Sequence, residues 1–117
     1  MEQELRSFVD NLVGSSSEIA ALYREHMTDQ GELLPHVFMG DITRLVVANA
    51  SPKGCPDWIV RLLQQLESVL MSECGEVAGL VGVSFVENLC GETRAIEALR
   101  PKMGVALRNE LREICGV

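Results

Sequence analysis

Hydrophobic residues recur at helical spacing through the N-terminal part of the chain. One face repeats at i, i+3, i+4, i+7 and i+8 and consists of Leu5, Phe8, Val9, Leu12 and Val13. Gly14 is expected to end this helix, and Ser15 with Glu18 has the capping-box spacing that begins the next one. The second helix has its apolar side at Ile19, Leu22, Tyr23, His26 and Met27. It is expected to end at Gly31.

Prolines and glycines divide the middle of the chain. Pro35 stands where a first helical turn tolerates a missing amide proton, and a third helix is predicted over residues 36–49. Gly40-Asp41 is a point at which this segment can break into a short turn and a second helix. A loop with two prolines and one glycine covers residues 50–56. A fourth helix opens at Asp57, with its apolar residues in 3.6-residue register: Ile59, Leu62, Leu63, Leu66, Val69 and Leu70.

Residues 77–89 are apolar or small on almost every side and carry one charge, Glu87. A helix that is hydrophobic all round must be enclosed by others, and this one falls short of the roughly 20 residues needed to span a bilayer. The segment therefore predicts a central helix shielded on every side. Gly79 and Gly82 are expected to allow close approach of a neighbouring helix. Glu87 is expected either to pair with a cation, for which Arg44 is the candidate, or to reach the surface.

The last segment, residues 93–115, has a helical pattern but contains Pro101, which is expected to split it near Arg100. No run of useful length alternates with the period of a β-strand. The chain therefore predicts an all-α fold, a compact bundle of about five to seven helices around the buried central helix, with a HEAT-like helical stack as the alternative. A length of 117 residues with 47% hydrophobic residues predicts one domain over residues 1–117.

The net charge is −7, from 17 acidic and 10 basic residues. It is unevenly distributed, because residues 1–50 hold 8 acids and 3 bases whereas residues 51–117 hold 9 and 7. Phosphate backbones and anionic lipid surfaces repel such a protein, so neither nucleic acid nor a membrane is an expected partner. A basic protein is the natural complement, since opposite potentials accelerate encounter and select partners. The alternative is that the charge only keeps the protein dissolved.

No catalytic, cofactor-binding or metal-binding pattern is recognisable in the sequence. The two histidines, His26 and His36, do not form a metal-binding i, i+4 pair. His26 is expected at the edge of the core, and His36 is expected to bond a helix start or a partner. The Gly-Val-Ser-Phe run around Ser84 lacks the second glycine and the preceding strand of a nucleophile elbow, so Ser84 is expected to hydrogen-bond back to its own helix. We therefore predict no enzyme activity, no cofactor and no metal.

The four cysteines show no C-x-x-C pair. Cys55, Cys74, Cys90 and Cys115 are separated by 19, 16 and 25 residues. The N-terminus lacks the basic and apolar regions of a signal peptide, so a cytoplasmic location is expected. In a reducing cytosol the cysteines are expected to be buried or half-buried thiols, with a metal or redox role as the alternative.

Two passages carry a family resemblance: LLPHVFMGDI at residues 33–42 and VSFVENL at residues 83–89. Together they resemble a group of small, all-helical bacterial proteins, some of which look like immunity proteins encoded beside secreted polymorphic toxins. The passages cover 17 of the 117 residues, and the rest of the chain matches in helix pattern and length. The resemblance implies a cytosolic inhibitor (an antitoxin) that binds one cognate toxin domain and blocks its active site.

The acidic N-terminal half is the expected contact surface, because an acidic surface would mimic the anionic substrate of a basic toxin. Immunity families vary most at this surface, so no contact residue is carried over from the resemblance. The predicted contact residues are Glu18, Glu25, Asp29, Glu32, His36 and Asp41. For each carboxylate taken singly, a solvated helix face is the alternative. The alternative function is a helical regulatory or scaffolding module, as a homodimer through an exposed apolar strip that includes Trp58.

Overall fold

Helices and short connections make up the described part of the chain. The computed structural model describes residues 2–72 and 75–117, with only the backbone of Glu2. Within these ranges no β-strand forms. In chain order the elements are α1 (Glu2–Ser15), α2 (Ser17–Gln30), α3 (Pro35–Asn49), α4 (Asp57–Met71), α5 (Gly75–Val81), a π-helical segment (Gly82–Val86), α6 (Glu87–Leu89), α7 (Thr93–Leu99), a 3₁₀ turn (Arg100–Lys102) and α8 (Val105–Cys115). The all-α prediction is confirmed.

The helices pack as a compact bundle around one hydrophobic core. The radius of gyration is 13.2 Å, close to the value of about 13 Å expected for a compact chain of this length. The molecule measures 35 × 29 × 21 Å, which does not suit an extended HEAT-like stack. Residues from all the longer helices meet in this core, among them Leu12, Ile19, Phe38, Leu62, Phe85, Leu99 and Leu107. Apolar burial on this scale is the main stabilising contribution to the bundle.

The central helix is continuous from α5 through the π-helical segment to α6, but it is not shielded on every side. Leu80, Phe85 and Leu89 are buried in the core, as predicted. Val83, however, is 55% exposed, and Glu87 reaches the surface four residues later on the same side of the helix. The prediction of a fully enclosed helix is therefore wrong for one strip of its surface. Arg44 pairs with Asp41 instead of Glu87.

Close approach to the central helix occurs at Gly82 but not at Gly79. A Cβ atom at Gly82 would lie 3.1 Å from Glu110 Oε2 and 3.5 Å from Ile114 Cδ1, both on α8. A Cβ atom at Gly79 would have no neighbour within 4 Å. The expectation is confirmed for Gly82 and wrong for Gly79, which lies on the exposed side.

Two of the predicted helix boundaries are displaced. Ser16, not Ser15, caps α2, because its side chain accepts a hydrogen bond from the Ile19 amide at 3.1 Å. Ser15 ends α1 instead, and its hydroxyl donates to the Leu12 carbonyl oxygen at 2.7 Å.

The predicted break at Gly40-Asp41 is absent, and α3 runs through it. Gly40 is buried, and a Cβ atom there would lie 3.7 Å from Asn88 Nδ2 on α6, so packing outweighs the low helix propensity of glycine.

Pro101 divides the C-terminal segment as predicted. The start of α8 is then stabilised by a side chain from α4. The Glu67 carboxylate on α4 accepts hydrogen bonds from the Ala106 amide at 2.9 Å and the Leu107 amide at 2.8 Å. These amides have no acceptor within the first turn of α8, so the carboxylate acts as its N-cap from another helix. Gly104 precedes the helix, and a Cβ atom there would overlap the Glu67 carboxyl group.

The expectation of free thiols is wrong for two cysteines. Cys90 after α6 and Cys115 at the end of α8 form a disulfide, with their Cα atoms 5.2 Å apart. Sequence spacing could not indicate this pair, because the fold brings the two helix ends together. Cys55 is a free thiol, and Cys74 lies outside the described residues.

Disulfides are typical of oxidising compartments, so the cytoplasmic location stays a prediction. No helix in the described ranges is both long and apolar enough to cross a membrane.

Cys55 is expected to react slowly with alkylating reagents. Burial raises the pKa of its thiol, and the nearby Lys102 ammonium opposes this effect only in part. Since the thiolate is the nucleophile, alkylation by iodoacetamide near neutral pH should be several-fold slower than for glutathione. Peptide mass spectrometry would follow Cys55 separately from the other cysteines. Lys102→Gln should slow the reaction further, and a rate equal to that of glutathione would contradict the expectation.

Candidate partner-binding site

Helices α2 and α3 form a hairpin that presents much of the acidic N-terminal half. Gly31 ends α2 in the left-handed conformation, with φ of 74°, and its amide donates to the Met27 carbonyl oxygen. Pro35 occupies the first turn of α3, where its fixed φ and missing amide proton suit a helix start. The connection is therefore short, and α3 returns directly alongside α2.

A cavity of about 210 Å³ lies between these helices. It is lined by Leu22, Glu25, His26, Asp29 and Asp41. The four residues from α2 fall at i, i+3, i+4 and i+7, which places them on one helical face. Three of the five lining side chains are carboxylates, and none is lysine or arginine. The cavity is therefore a locally negative site on an acidic protein.

His26 lies at the back of this cavity with its side chain fully buried. Its Nε2 atom accepts a hydrogen bond from the Leu34 amide at 3.0 Å, so a neutral ring carries its proton on Nδ1. The Nδ1 atom lies 3.9 Å from Asp41 Oδ2, beyond hydrogen-bond distance. None of the described residues accepts a hydrogen bond from it. The ring is held in place by Phe38, with the ring centroids 5.4 Å apart.

Asp41 is shared between the cavity and the surface. Its side chain is 27% exposed, and Oδ1 is paired with the Arg44 guanidinium one turn further along α3. This pairing leaves Oδ2 directed at His26. The Arg44 side chain is itself 72% exposed, so it orients Asp41 from outside and does not line the cavity.

The structure brings together three of the six predicted contact residues. Glu25, Asp29 and Asp41 line the cavity. Glu18 is exposed two turns before Glu25 on the same face of α2, and Glu32 is exposed in the connection to α3. These two carboxylates extend the acidic surface without entering the cavity.

His36, the sixth predicted residue, is exposed at the start of α3 but its contact is internal. Its Nδ1 atom shares a hydrogen bond with the hydroxyl of Ser84 in the π-helical segment. The expectation that Ser84 bonds back to its own helix is therefore wrong. The Ser84 carbonyl oxygen accepts hydrogen bonds from Thr43 at 3.1 Å and from Asn88 at 2.7 Å. The bonds from His36 and Thr43 link α3 to the central helix, whereas the Asn88 bond lies within the central helix.

The feature that sequence reasoning missed is the role of His26. Its position on the apolar side of α2 predicted a residue at the edge of the core, but the structure buries its side chain completely. The signal for a site was its placement between two carboxylates, Glu25 one residue before it and Asp29 three residues after it. A third carboxylate from α3 completes the group, and only the hairpin reveals that.

A scan against protein-family models matches residues 9–116 to the family described as Domain of unknown function (DUF7674). The chain belongs to this family. The DUF7674 match covers α2, α3, all residues that line the cavity and all six predicted contact residues. A search of curated proteins finds no match, and a search of solved structures finds none.

Proposed function

We propose that this DUF7674 protein is an immunity protein, an antitoxin that binds a basic protein toxin and neutralises it by covering the toxin's active site. The observation that carries the proposal is that Glu25, Asp29 and Asp41 all line one cavity, without a lysine or arginine among its lining residues. The net charge of −7 and the resemblance described above support the same conclusion.

The acidic surface is long enough to serve as an interface. Glu18, Glu25 and Asp29 follow one face of α2 over about three turns, or roughly 16 Å at 1.5 Å per residue. Glu32 continues the line into the connection to α3. A basic cleft on a partner would find complementary charges along this line, which favours fast and selective association.

The alternative function is a scaffolding module that forms a homodimer through an exposed strip at Trp58. The structure does not provide this strip. Trp58 is 6% exposed and belongs to the core. Self-association would therefore need another apolar surface, whereas binding of a basic protein uses charges that are already exposed.

The test is a pull-down with the product of the gene directly upstream, which is expected to be basic, followed by rescue of cells in which that product is expressed. Glu25→Lys and Asp29→Lys are expected to weaken the complex at least tenfold, because each places a cation against a basic partner. Glu113→Lys makes the same change in net charge at an exposed position on α8 and should have little effect. Raising the salt concentration should weaken the wild-type complex more than the complex of either α2 variant.

Failure to capture or rescue would overturn the immunity proposal. Equal weakening by the Glu113 control and the α2 variants would move the interface away from α2 and contradict the assignment of the acidic surface.

A further inference from the structure

We propose, building on the function proposed above, that the cavity between α2 and α3 receives the side chain of one arginine from the protein partner. The site is lined by the carboxylates of Glu25, Asp29 and Asp41 and by His26, whose side chain is fully buried.

The charge of the cavity favours a cation as its ligand. Glu25 and Asp29 are exposed carboxylates one turn apart on α2, and Asp41 faces them from α3. Of these three carboxylates, Asp41 is paired with a guanidinium in the described part of the chain, that of Arg44 outside the cavity. A cation that enters between the helices would therefore meet two further carboxylates.

The spacing of these groups favours a polyatomic cation over a metal ion. In residues 2–72 and 75–117, no three histidine, cysteine, aspartate or glutamate side chains stand close enough to hold a metal ion. A guanidinium group spreads five N–H donors over a rigid plane, so it can reach carboxylates that do not converge on one point. It is also more weakly hydrated than an ammonium group, which suits a partly enclosed site.

His26 adds a second requirement on the ligand, a hydrogen-bond acceptor as well as a positive charge. Its Nδ1 is buried, lies 3.9 Å from Oδ2 of the cavity-lining Asp41, and has no hydrogen-bond partner among the described residues. Buried donors are almost always paired in folded proteins. A peptide segment carries backbone carbonyl oxygens beside its arginine side chain, so one ligand can supply donors to the carboxylates and an acceptor to His26.

The experiment is an NMR titration of the ¹⁵N-labelled full chain at low salt with N-acetyl-L-arginine amide, which carries a guanidinium and two carbonyl groups. Saturable shifts are expected for the His26 ring nitrogens and the Leu34 amide, because Leu34 reports directly on His26. N-acetyl-L-citrulline amide, a neutral molecule of nearly the same shape, should give none. N-acetyl-L-lysine amide should bind at least threefold more weakly than the arginine derivative.

Glu25→Gln and Asp29→Asn should each weaken binding of the arginine derivative at least threefold, whereas Glu113→Gln on α8 should leave it unchanged. All three positions are exposed, so the variants should keep the fold, and their spectra show whether they do. Equal shifts with the citrulline derivative, equal affinity for the lysine derivative or equal effects of the three substitutions would each overturn the inference.

This titration uses no partner protein, so it separates the two proposals. Binding of the arginine derivative without capture of a basic partner would support the inference and leave the immunity proposal refuted. Capture of the partner without any preference for the arginine derivative would refute the inference and support the proposed function.

Discussion

Replacing Cys90 and Cys115 together by serine is expected to lower the free energy of unfolding by about 3 kcal/mol and the melting temperature by roughly 10 °C. The bridge closes a separation of 25 residues, which includes α7, the 3₁₀ turn and α8. Without it the unfolded chain gains the freedom that the cross-link removed. Thermal and urea unfolding followed by circular dichroism would measure both quantities.

The wild-type protein in excess reductant should behave like the double variant, since Cys90 is exposed and accessible. The double variant itself should not respond to reductant, and Cys55→Ser, which removes a thiol outside the bridge, should leave that response intact. A wild-type melting temperature that is identical with and without reductant would show that the disulfide contributes nothing to stability. The same measurement gives the free energy of unfolding that the protein would have in a reducing compartment.

Glu67→Ala is expected to destabilise the protein by about 2–3 kcal/mol, because two amides at the start of α8 lose a charged acceptor. The Glu67 carboxylate bonds Ala106 and Leu107 and lies against Gly104. Gly104→Ala should also destabilise the protein, since the added methyl group displaces this carboxylate. Urea denaturation of the two single variants and the double variant would measure the effect.

The double variant provides the decisive comparison. Once Glu67 is absent, the methyl group at position 104 has no carboxyl group to displace, so the two losses should sum to more than the loss in the double variant. Strictly additive losses would contradict the contact. Glu97→Ala, which removes an exposed glutamate from α7, should change stability by less than about 0.5 kcal/mol.

The fold class and most helices could be predicted because amphipathic spacing is a local property. The face of α4 from Ile59 to Leu70 is an example, and its register alone defines the helix. The boundary between α1 and α2 was misplaced by one residue because consecutive serines have equal capping ability and only the packed chain distinguishes them. The unbroken α3 and the Cys90–Cys115 bridge depend on contacts between distant elements, which no local pattern encodes.

The candidate site could be predicted in its charge but not in its geometry. Counting acidic residues along the chain selected Glu25, Asp29 and Asp41, and these three line the cavity. The same count included Glu18 and Glu32, which lie outside it, because charge gives no information about direction. The contribution of His26 depends on the Leu34 amide that occupies its Nε2 atom, and this bond exists only once the hairpin has closed.

The π-helical segment has a consequence for how relatives of this protein can vary in length. The Glu87 amide donates to the Gly82 carbonyl oxygen, five residues back, so this turn holds one residue more than an ordinary helical turn. Each residue of an α-helix advances the chain by about 100° around its axis. Deletion of one residue here would restore α-helical hydrogen bonding but rotate Cys90 away from Cys115. We therefore expect the length of this stretch and the position of the bridging cysteine to change together.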